Sequence, residues 1–399
     1  MSLSIITYIH KKNAINFIYD KTYLFYLRIL YIHDYYYSIT GSSIANRNLC
    51  KILLNKGIDV RIISSSPSVI KKTTQNIYFL PSAISKWPIS ISLPLPDKII
   101  HIIKTMKPDI IHLQCLSPLS LMVLFVARKY NIPVVAGIHD LPRNISIYFP
   151  KISRFINYFT KFILPKFFNK VNVCIAPSLF AKRYYHNLGV TNEIQIISNG
   201  IKLENFTPSS ANTIFYRKIL NNGNNIKKIL YVGRIMPDKD LDVLVNAMQK
   251  IDDAIAIIIG PFWKGYLKKL KKLDHRKKII FLGHVPFNDL LRFYHTCDLF
   301  IQPCTSELQG IAILEAMASR LPVIGANSGA TPELIANGIN GLLFSPNDAI
   351  DLKNKIDLII HDDKLRKQMI CLSYEKILPH SIYKTANDYI KLYYNYINK

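Results

Sequence analysis

Two glutamates flank a glycine ahead of a short apolar segment, and their spacing suits a ligand that carries both sugars and phosphates. Glu307 and Glu315 lie eight residues apart, and Gly310 between them precedes the apolar residues 311–318. A glycine at a helix start lets a ligand approach the backbone, where free amides attract an anion such as a pyrophosphate. Carboxylates accept hydrogen bonds from hydroxyls, so we expect Glu315 to bind a ribose and Glu307 a hexose of one extended ligand. On spacing alone, the alternative that both glutamates only face solvent stays open.

A guanidinium and an ammonium follow an apolar strand earlier in the chain. The predicted strand 229–232 ends at Gly233, Arg234 comes next, and Lys239 lies five residues further on. The two cations can hold two phosphates from different sides, Arg234 as a fork and Lys239 as a point charge. They would also stabilise the charge that builds on a departing diphosphate. The alternative is that they are two solvated cations on a basic protein.

Several stretches, in order along the chain, resemble the motifs of family 4 glycosyltransferases. In the second half these are residues 229–242, 281–285, 304–324, 328–335 and 340–343. In the first half they are residues 107–112, 132–135 with His139 and Asp140, 176–178, and 197–200 with Phe206. The resemblance covers about residues 25–395 and implies an α/β chain of the GT-B fold. In that fold two Rossmann-like domains face each other across a cleft, and a C-terminal helix crosses back onto the first domain.

The resemblance also implies an activity and its residues. It implies a retaining glycosyltransferase that uses a nucleotide sugar, needs no metal or other cofactor, and lets the acceptor attack from the leaving-group face. The implied catalytic residues are His139, Glu307, Arg234 and Lys239. The implied donor-binding residues are Gly41, Arg234, Lys239, Val285, Glu307, Gly310, Ile311, Ala312 and Glu315. His139 would place or polarise the reacting sugar, although a lone histidine is otherwise more often a structural hydrogen-bonding residue.

Four positions depart from the family pattern. Ser42 follows Gly41 where the family has paired glycines, and Gln309 stands where it generally has an aromatic residue. Asp240 stands where a glycine commonly follows the lysine, and Arg320 replaces a small residue. We interpret these changes as altering acceptor geometry, donor preference or local packing.

The chain is strongly basic because acidic residues are scarce. It has 51 Lys and Arg against 26 Asp and Glu, a formal charge of +25. An average chain of this size carries roughly 50 of each sign, so the basic count is ordinary. Residues 141–192 contain no Asp or Glu but eight Lys and Arg.

Apolar side chains recur at helical spacing within that acid-free segment, at Ile152, Phe155, Ile156, Phe159, and Phe162 or Ile163. An amphipathic helix with aromatic residues and a cationic face is typical of binding to an anionic membrane surface. The alternative is a helix that covers the sheet of the first domain with its charges solvated. The lysine-rich residues 264–278 could bind nucleic acid, but they lack a recognition motif. We therefore expect a solvated helix face there and no specific nucleic acid partner.

Size and hydrophobic pattern predict two domains. A chain of 399 residues with 49% hydrophobic content exceeds the size at which one core stops growing. Apolar runs predict strands at 27–32, 59–63, 110–113, 134–137, 173–176, 229–232, 256–259, 279–282, 299–302 and 323–325, with helices between them. We divide the chain into an extension 1–24, a first domain 25–204, a linker 205–225, a second domain 226–380 and a returning helix 381–399. Ligands of such sheets bind beyond the carboxyl ends of the strands, which predicts a site in the cleft.

The sequence suggests a cytoplasmic protein. Residues 1–24 have no basic leader, and no apolar run reaches the ~18 residues that cross a bilayer. The six cysteines show no metal-ligand pairing and read as reduced thiols.

We therefore expect a retaining hexosyltransferase of glycan biosynthesis, peripheral at the inner face of the cell membrane. Its partners would be a nucleotide sugar, a lipid-linked or glycan acceptor, and an anionic membrane surface. One alternative is a non-catalytic sugar-nucleotide-binding scaffold or regulatory subunit. Another is a GT-B epimerase that releases an altered nucleotide sugar without any acceptor.

Overall fold

The computed structural model describes residues 27–38, 40–65, 76–86, 89–142, 152–207 and 226–397. The predicted extension 1–24 and residues 208–225 of the predicted linker lie outside these ranges. Within them the chain forms two parallel sheets, each with helices on both faces. The predicted alternation of strands and helices is confirmed, while the predicted domain bounds stay predictions.

The first sheet has seven strands in the order β3-β2-β1-β6-β7-β8-β9, and all paired neighbours run parallel. Its strands are β1 (Arg28–Ile32), β2 (Asp59–Ser65), β3 (Ile77–Leu80), β6 (Ile110–Leu113), β7 (Val134–Gly137), β8 (Val173–Ala176) and β9 (Ile194–Ile196). A separate antiparallel pair joins β4 (Ser82–Lys86) to β5 (Ile89–Ser92). The helices of this half are α1 (Gly41–Asn55), α2 (Pro96–Met106), α3 (Pro118–Lys129), α4 (Ser153–Phe168), α5 (Leu179–Asn187) and α6 (Leu203–Phe206).

The second sheet has six parallel strands in the order β12-β11-β10-β13-β14-β15. Its strands are β10 (Lys227–Val232), β11 (Ala254–Ile259), β12 (Ile279–Gly283), β13 (Leu299–Gln302), β14 (Val323–Ala326) and β15 (Leu342–Phe344). Its helices are α7 (Leu241–Met248), α8 (Lys264–Leu273), α9 (Phe287–Thr296), α10 (Ile311–Ala318), α11 (Thr331–Leu334), α12 (Ala349–His361) and α13 (Asp363–Ile377).

The last helix, α14 (Ile382–Ile397), returns to the first sheet as expected. Its buried residues Ile382, Tyr389 and Tyr393 share a core with β1 and α1. Tyr393 also bonds through its hydroxyl to Nδ1 of His112 on β6 at 2.7 Å. The chain therefore crosses between the two sheets twice, once before β10 and once before α14.

Helix α4 forms where the apolar periodicity predicted it, but the phenylalanines of its apolar stripe are exposed, while Ile156 and Ile163 are partly buried. Phe155 is 64% exposed, Phe159 47% and Phe162 56%. The helix packs on the sheet mainly through residues near its end, among them Leu164 and Phe167. The helix thus covers the sheet with its last turns, while three phenylalanines of the predicted stripe stay exposed.

Candidate active site

Loops at the carboxyl ends of strands from both sheets line one cleft of about 510 Å³. This is the place where parallel α/β sheets bind ligands. Among the predicted site residues, those that line the cleft are Gly41, His139, Arg234, Lys239, Val285, Glu307, Ile311, Ala312 and Glu315. Gly310 is buried and does not line it. The structure thus brings the predicted residues together, and their roles stay predictions.

Lys239 and Glu307 form a half-buried ion pair in the cleft. Nζ of Lys239 lies 3.2 Å from Oε2 of Glu307 and 3.7 Å from Sγ of Cys304. Burial alone would lower the pKa of Lys239, but Cys304 and Glu307 beside it raise that pKa well above its usual value. Burial likewise opposes ionisation of Glu307, yet the Lys239 ammonium holds the pKa of this carboxyl below its ordinary value. Both groups are therefore charged at neutral pH.

Gly310 lets the Glu307 loop turn into helix α10. Its φ of +84° is a left-handed conformation that favours glycine, and a Cβ there would lie 2.9 Å from the Ile313 side chain. The N–H of Gly310 donates to Oε1 of Glu307 at 3.3 Å. Gly310 thus holds Glu307 at the helix start, where Ile311 and Ala312 line the cleft. An anion beside this helix end would meet free amides and the positive end of the helix dipole.

Arg234 follows β10 and is held by the short turn that carries Lys239. Its guanidinium donates to Oδ2 of Asp238 at 3.1 Å, and the Asp238 side chain is fully buried. This ion pair leaves the guanidinium at the cleft wall beside Lys239. The two cations and the start of α10 together form a positively charged surface that suits a diphosphate.

Glu315 lies one turn further along α10 and has a different environment from Glu307. Its Oε2 accepts a hydrogen bond from the Tyr294 hydroxyl at 2.8 Å. Burial raises the pKa of Glu315 to about 7, although the Tyr294 bond opposes the rise. Glu315 therefore titrates near neutral pH, whereas the pKa of Glu307 lies below its ordinary value, a difference that the sequence pattern did not indicate.

His139 faces these groups from the end of β7. Burial lowers the pKa of its imidazole to about 4, so the ring is neutral near pH 7. The ring packs against Gly137, because a Cβ on that glycine would lie 2.6 Å from Nε2 of His139. A neutral imidazole can donate or accept a hydrogen bond with a sugar hydroxyl.

Two residues that the sequence motifs contain, Asp140 and Gln309, lie in the site although no role there was predicted for them. Asp140 lines the cleft beside His139, and the Tyr35 hydroxyl donates to its Oδ2 at 3.3 Å. Burial raises the pKa of Asp140, while Arg234 across the cleft opposes that rise. Gln309 is 3% exposed and bonds to Asn199 and Ser198 on the first-sheet side. The position of Asp140 after a predicted strand was a usable signal, whereas nothing local predicts the Gln309 bonds.

Within the described residues, no three His, Cys, Asp or Glu side chains are grouped closely enough to hold a metal ion. No helix in the same part of the chain has both the length and the apolar character needed to cross a membrane. All six cysteines are free thiols.

Solved structures of known proteins share this two-sheet architecture. The Anabaena protein HepE, crystallised with UDP and glucose, superposes with a TM-score of 0.77 at 18% identity, over 92% of this chain and 99% of that one. Sucrose-phosphate synthase from Thermosynechococcus elongatus gives a TM-score of 0.76 at 18% identity, over 92% and 98%. At these identities the likeness defines the fold, which is the predicted GT-B fold of glycosyltransferases.

Two family models match adjacent parts of the chain. The model described as Glycosyltransferase Family 4 matches residues 39–205, and the one described as Glycosyl transferases group 1 matches residues 212–375. The chain belongs to family 4 of the glycosyltransferases, as the motifs indicated.

Curated relatives match part of the chain. A sulfoquinovosyl transferase of Arabidopsis thaliana is 28% identical over 290 residues, which is 70% of this chain and 55% of the relative. An alpha-monoglucosyldiacylglycerol synthase of Streptococcus pneumoniae is 26% identical over 257 residues, which is 62% of this chain and 58% of the relative. The chain thus spans a little over half the length of these two relatives.

Proposed function

We propose that the protein is a retaining glycosyltransferase that moves a hexose from a nucleotide sugar to a lipid-linked or glycan acceptor at the cytoplasmic membrane face. The observation that carries the proposal is the convergence of Arg234, Lys239 and Glu307 at the start of α10. Opposite them, His139 and Asp140 line the same cleft from the other sheet. One extended donor can contact both walls of such a cleft.

The charged side chains of the cleft indicate where each part of the donor would bind. Arg234 and Lys239 would bind the diphosphate and stabilise its charge as it leaves, and Glu307 would accept hydrogen bonds from the hexose. The acceptor oxygen attacks the anomeric carbon from the face that the diphosphate leaves, and its proton passes to the departing diphosphate. The configuration is retained because the new bond forms on the face of the old one. His139 would donate or accept one hydrogen bond with the hexose and so fix its orientation.

The relatives support a nucleotide-sugar donor and a lipid acceptor. HepE was crystallised with UDP and glucose, which makes a nucleoside diphosphate hexose a sensible first donor to test. The two curated relatives are named for sulfoquinovosyl transfer and for the synthesis of a monoglucosyldiacylglycerol. We therefore place a membrane lipid first among the acceptors.

Helix α4 supports the membrane part of the proposal. Its exposed stripe includes Phe155, Phe159 and Phe162, and Phe155 stacks on Phe159 with the ring centroids 6.2 Å apart. Nζ of Lys166 lies 3.8 Å from the centre of the Phe162 ring. Aromatic side chains between cations suit the boundary between headgroups and acyl chains of an anionic membrane.

The test measures nucleoside diphosphate released from a panel of nucleotide sugars, with and without a membrane lipid extract. We expect one donor to be turned over, faster with lipid, and the rate to fall at least a hundredfold in Arg234→Ala. Arg276→Ala is the matched control, because that arginine pairs with Asp252 on the surface outside the cleft. Donor binding without release from any donor would instead support the non-catalytic subunit. Release of a changed nucleotide sugar without acceptor would support the epimerase.

The membrane contact is tested separately by sedimentation with vesicles that contain or lack anionic lipid. We expect Phe155→Ser with Phe159→Ser to reduce binding to anionic vesicles at least tenfold. Exchange of the exposed Leu358 for Ser is the control for lost apolar surface elsewhere. Unchanged binding of the double variant would rule out α4 as the docking helix.

A further inference from the structure

We infer that the first-sheet wall of the cleft is a subsite for an uncharged, hydroxyl-rich acceptor headgroup, such as a hexose or glycerol, and that it disfavours a phosphorylated one. The inference names the acceptor class and so rests on the proposed function. The residues that carry it are Asp34, Tyr35 and Asp140, none of which the sequence motifs assign to the acceptor.

Asp34 and Asp140 follow two strands of the same sheet and reach the same end of the cleft. Asp34 comes two residues after β1, and Asp140 three residues after β7. Cys115 lines the cleft with both of them, and the two carboxylates add to the effect of burial in raising the pKa of its thiol. Tyr35 connects the pair, because it directly follows Asp34 and its hydroxyl donates to Asp140.

Each carboxyl has hydrogen-bonding capacity that the described residues do not use. Oδ1 of Asp34 accepts from the N–H of Ser92 at 2.8 Å, while its buried Oδ2 has no partner among the described residues. The one side-chain bond found for Asp140 is the 3.3 Å contact with Tyr35. A buried carboxylate oxygen without a donor is costly, so a hydroxyl or a water there is favourable.

The cleft is divided by charge. The described residues that line its first-sheet side include Asp34 and Asp140 but no lysine or arginine. The described cations of the lining, Arg234 and Lys239, both belong to the second-sheet side. The lining of the first-sheet side also includes the hydroxyl groups of Tyr35 and Ser117.

Because of this separation of charges, the first-sheet side of the cleft favours an uncharged acceptor over a phosphorylated one. Carboxylates have only acceptor capacity when ionised, which matches the O–H groups of a sugar or glycerol. A phosphate next to them would place like charges together in a cleft of low dielectric. The diphosphate of the donor avoids this repulsion because it meets the cations on the opposite wall.

The experiment compares two probes that differ only in one phosphate, octyl glucoside and octyl glucoside 6-phosphate, below their micelle concentrations. Saturation-transfer NMR measures their binding without donor, so the result does not depend on turnover. We expect octyl glucoside to bind at least tenfold more tightly than its phosphate. Asp140→Asn should weaken the binding of octyl glucoside several-fold and reduce the difference in affinity between the two probes. Asp34→Asn should also reduce this difference in affinity, because the asparagine removes the negative charge while its Oδ1 can still accept from the N–H of Ser92.

Asp97→Asn is the matched control, since Asp97 is exposed at the start of α2. Equal or tighter binding of the phosphate, or an Asp140→Asn variant that binds both probes as the parent does, would overturn the inference. Turnover of a nucleotide sugar together with such a result removes the subsite and leaves the proposed function intact. Selective glucoside binding without turnover of any donor removes the proposed function and leaves the subsite as a sugar-binding site.

Discussion

Gln309 ties the loop of Glu307 to both points where the chain crosses between the sheets. Its Oε1 accepts from the backbone N–H of Asn199 at 3.1 Å and from Nδ2 of Asn199 at 2.7 Å. Its Nε2 donates to Oγ of Ser198 at 2.5 Å. Ser198 also accepts from the N–H of Gly200, so its own hydroxyl donates to Nδ1 of His380. An aromatic residue at position 309, as the family generally has, cannot make these bonds.

We predict that Gln309→Met lowers the free energy of unfolding by about 2–4 kcal/mol. The methionine fills a similar volume but leaves two buried donors of Asn199 without an acceptor, each worth about 1–2 kcal/mol. Ser198 retains the Gly200 bond and adds little to the loss. Because the loop also positions Glu307, we expect the catalytic rate to fall roughly tenfold, the equivalent of about 1.4 kcal/mol, with a smaller change in donor affinity.

Urea unfolding measures the change in stability. Steady-state kinetics, with the donor that the nucleotide-sugar panel selects, separates the effect on the catalytic rate from the effect on donor affinity. The same change at Gln195 is the control, because Gln195 makes one exposed bond to Glu193 and should lose less than about 0.5 kcal/mol. The network argument fails if Gln309→Met unfolds and turns over donor like the parent protein. It also fails if the Gln195 variant loses as much stability.

Four further predictions concern the departures from the family pattern and the cleft. Arg320 and Asp240 both have a left-handed backbone conformation, with φ of +59° and +49°. Because glycine adopts this conformation without strain, Arg320→Gly should raise the free energy of unfolding, measured in urea, by about 1 kcal/mol. Asp240→Gly should lower the free energy of unfolding by about 1–2 kcal/mol, because the Asp240 carboxylate accepts hydrogen bonds of 2.8 and 2.7 Å from the N–H and hydroxyl of Thr305. If both glycine variants were more stable than the parent protein, this reasoning would be contradicted. Gly137→Ala should displace the His139 ring and lower turnover at least tenfold, while donor affinity in calorimetry falls only about five-fold, the effect of one lost hydrogen bond. Since donor hydroxyls favour the ionised form of Glu315, whose pKa is about 7, donor affinity should rise from pH 6 to 8, and Glu315→Gln should remove that rise.

The strands show where sequence reasoning succeeds. Four predicted strands have the observed bounds, namely Ile110–Leu113, Val134–Gly137, Val173–Ala176 and Leu299–Gln302. Strands that are buried on both faces appear in the sequence as continuous runs of apolar residues. Polar residues, glycines or prolines flank these runs and so indicate where each strand ends. Three missed strands are short: β3 has four residues, and β9 and β15 have three each. The pair β4 and β5 was also missed, although the alternation of Ile and Ser in β5 was a usable signal.

The site shows where local reasoning ends. Glu307 in a loop, Gly310 at a turn and Glu315 one turn into a helix follow from residues that are neighbours in sequence. The pairing of Lys239 with Glu307 joins residues 68 positions apart, so no local pattern reports it. The same is true of the Gln309 bonds to Ser198, which span 111 positions.

By itself, the sequence determined the α/β character of both halves, most of their strands with the helices between them, and which short segments carry acidic or basic side chains. These features depend on hydrophobic period and on glycines at turns, which act within a few residues. Only the tertiary structure decided that Asp140 lies across the cleft from Arg234, that the pKa values of Glu307 and Glu315 shift in opposite directions, and that the phenylalanines of the α4 stripe are exposed. Burial and the distance between charges depend on how remote segments pack, and these quantities set each pKa and each exposed face.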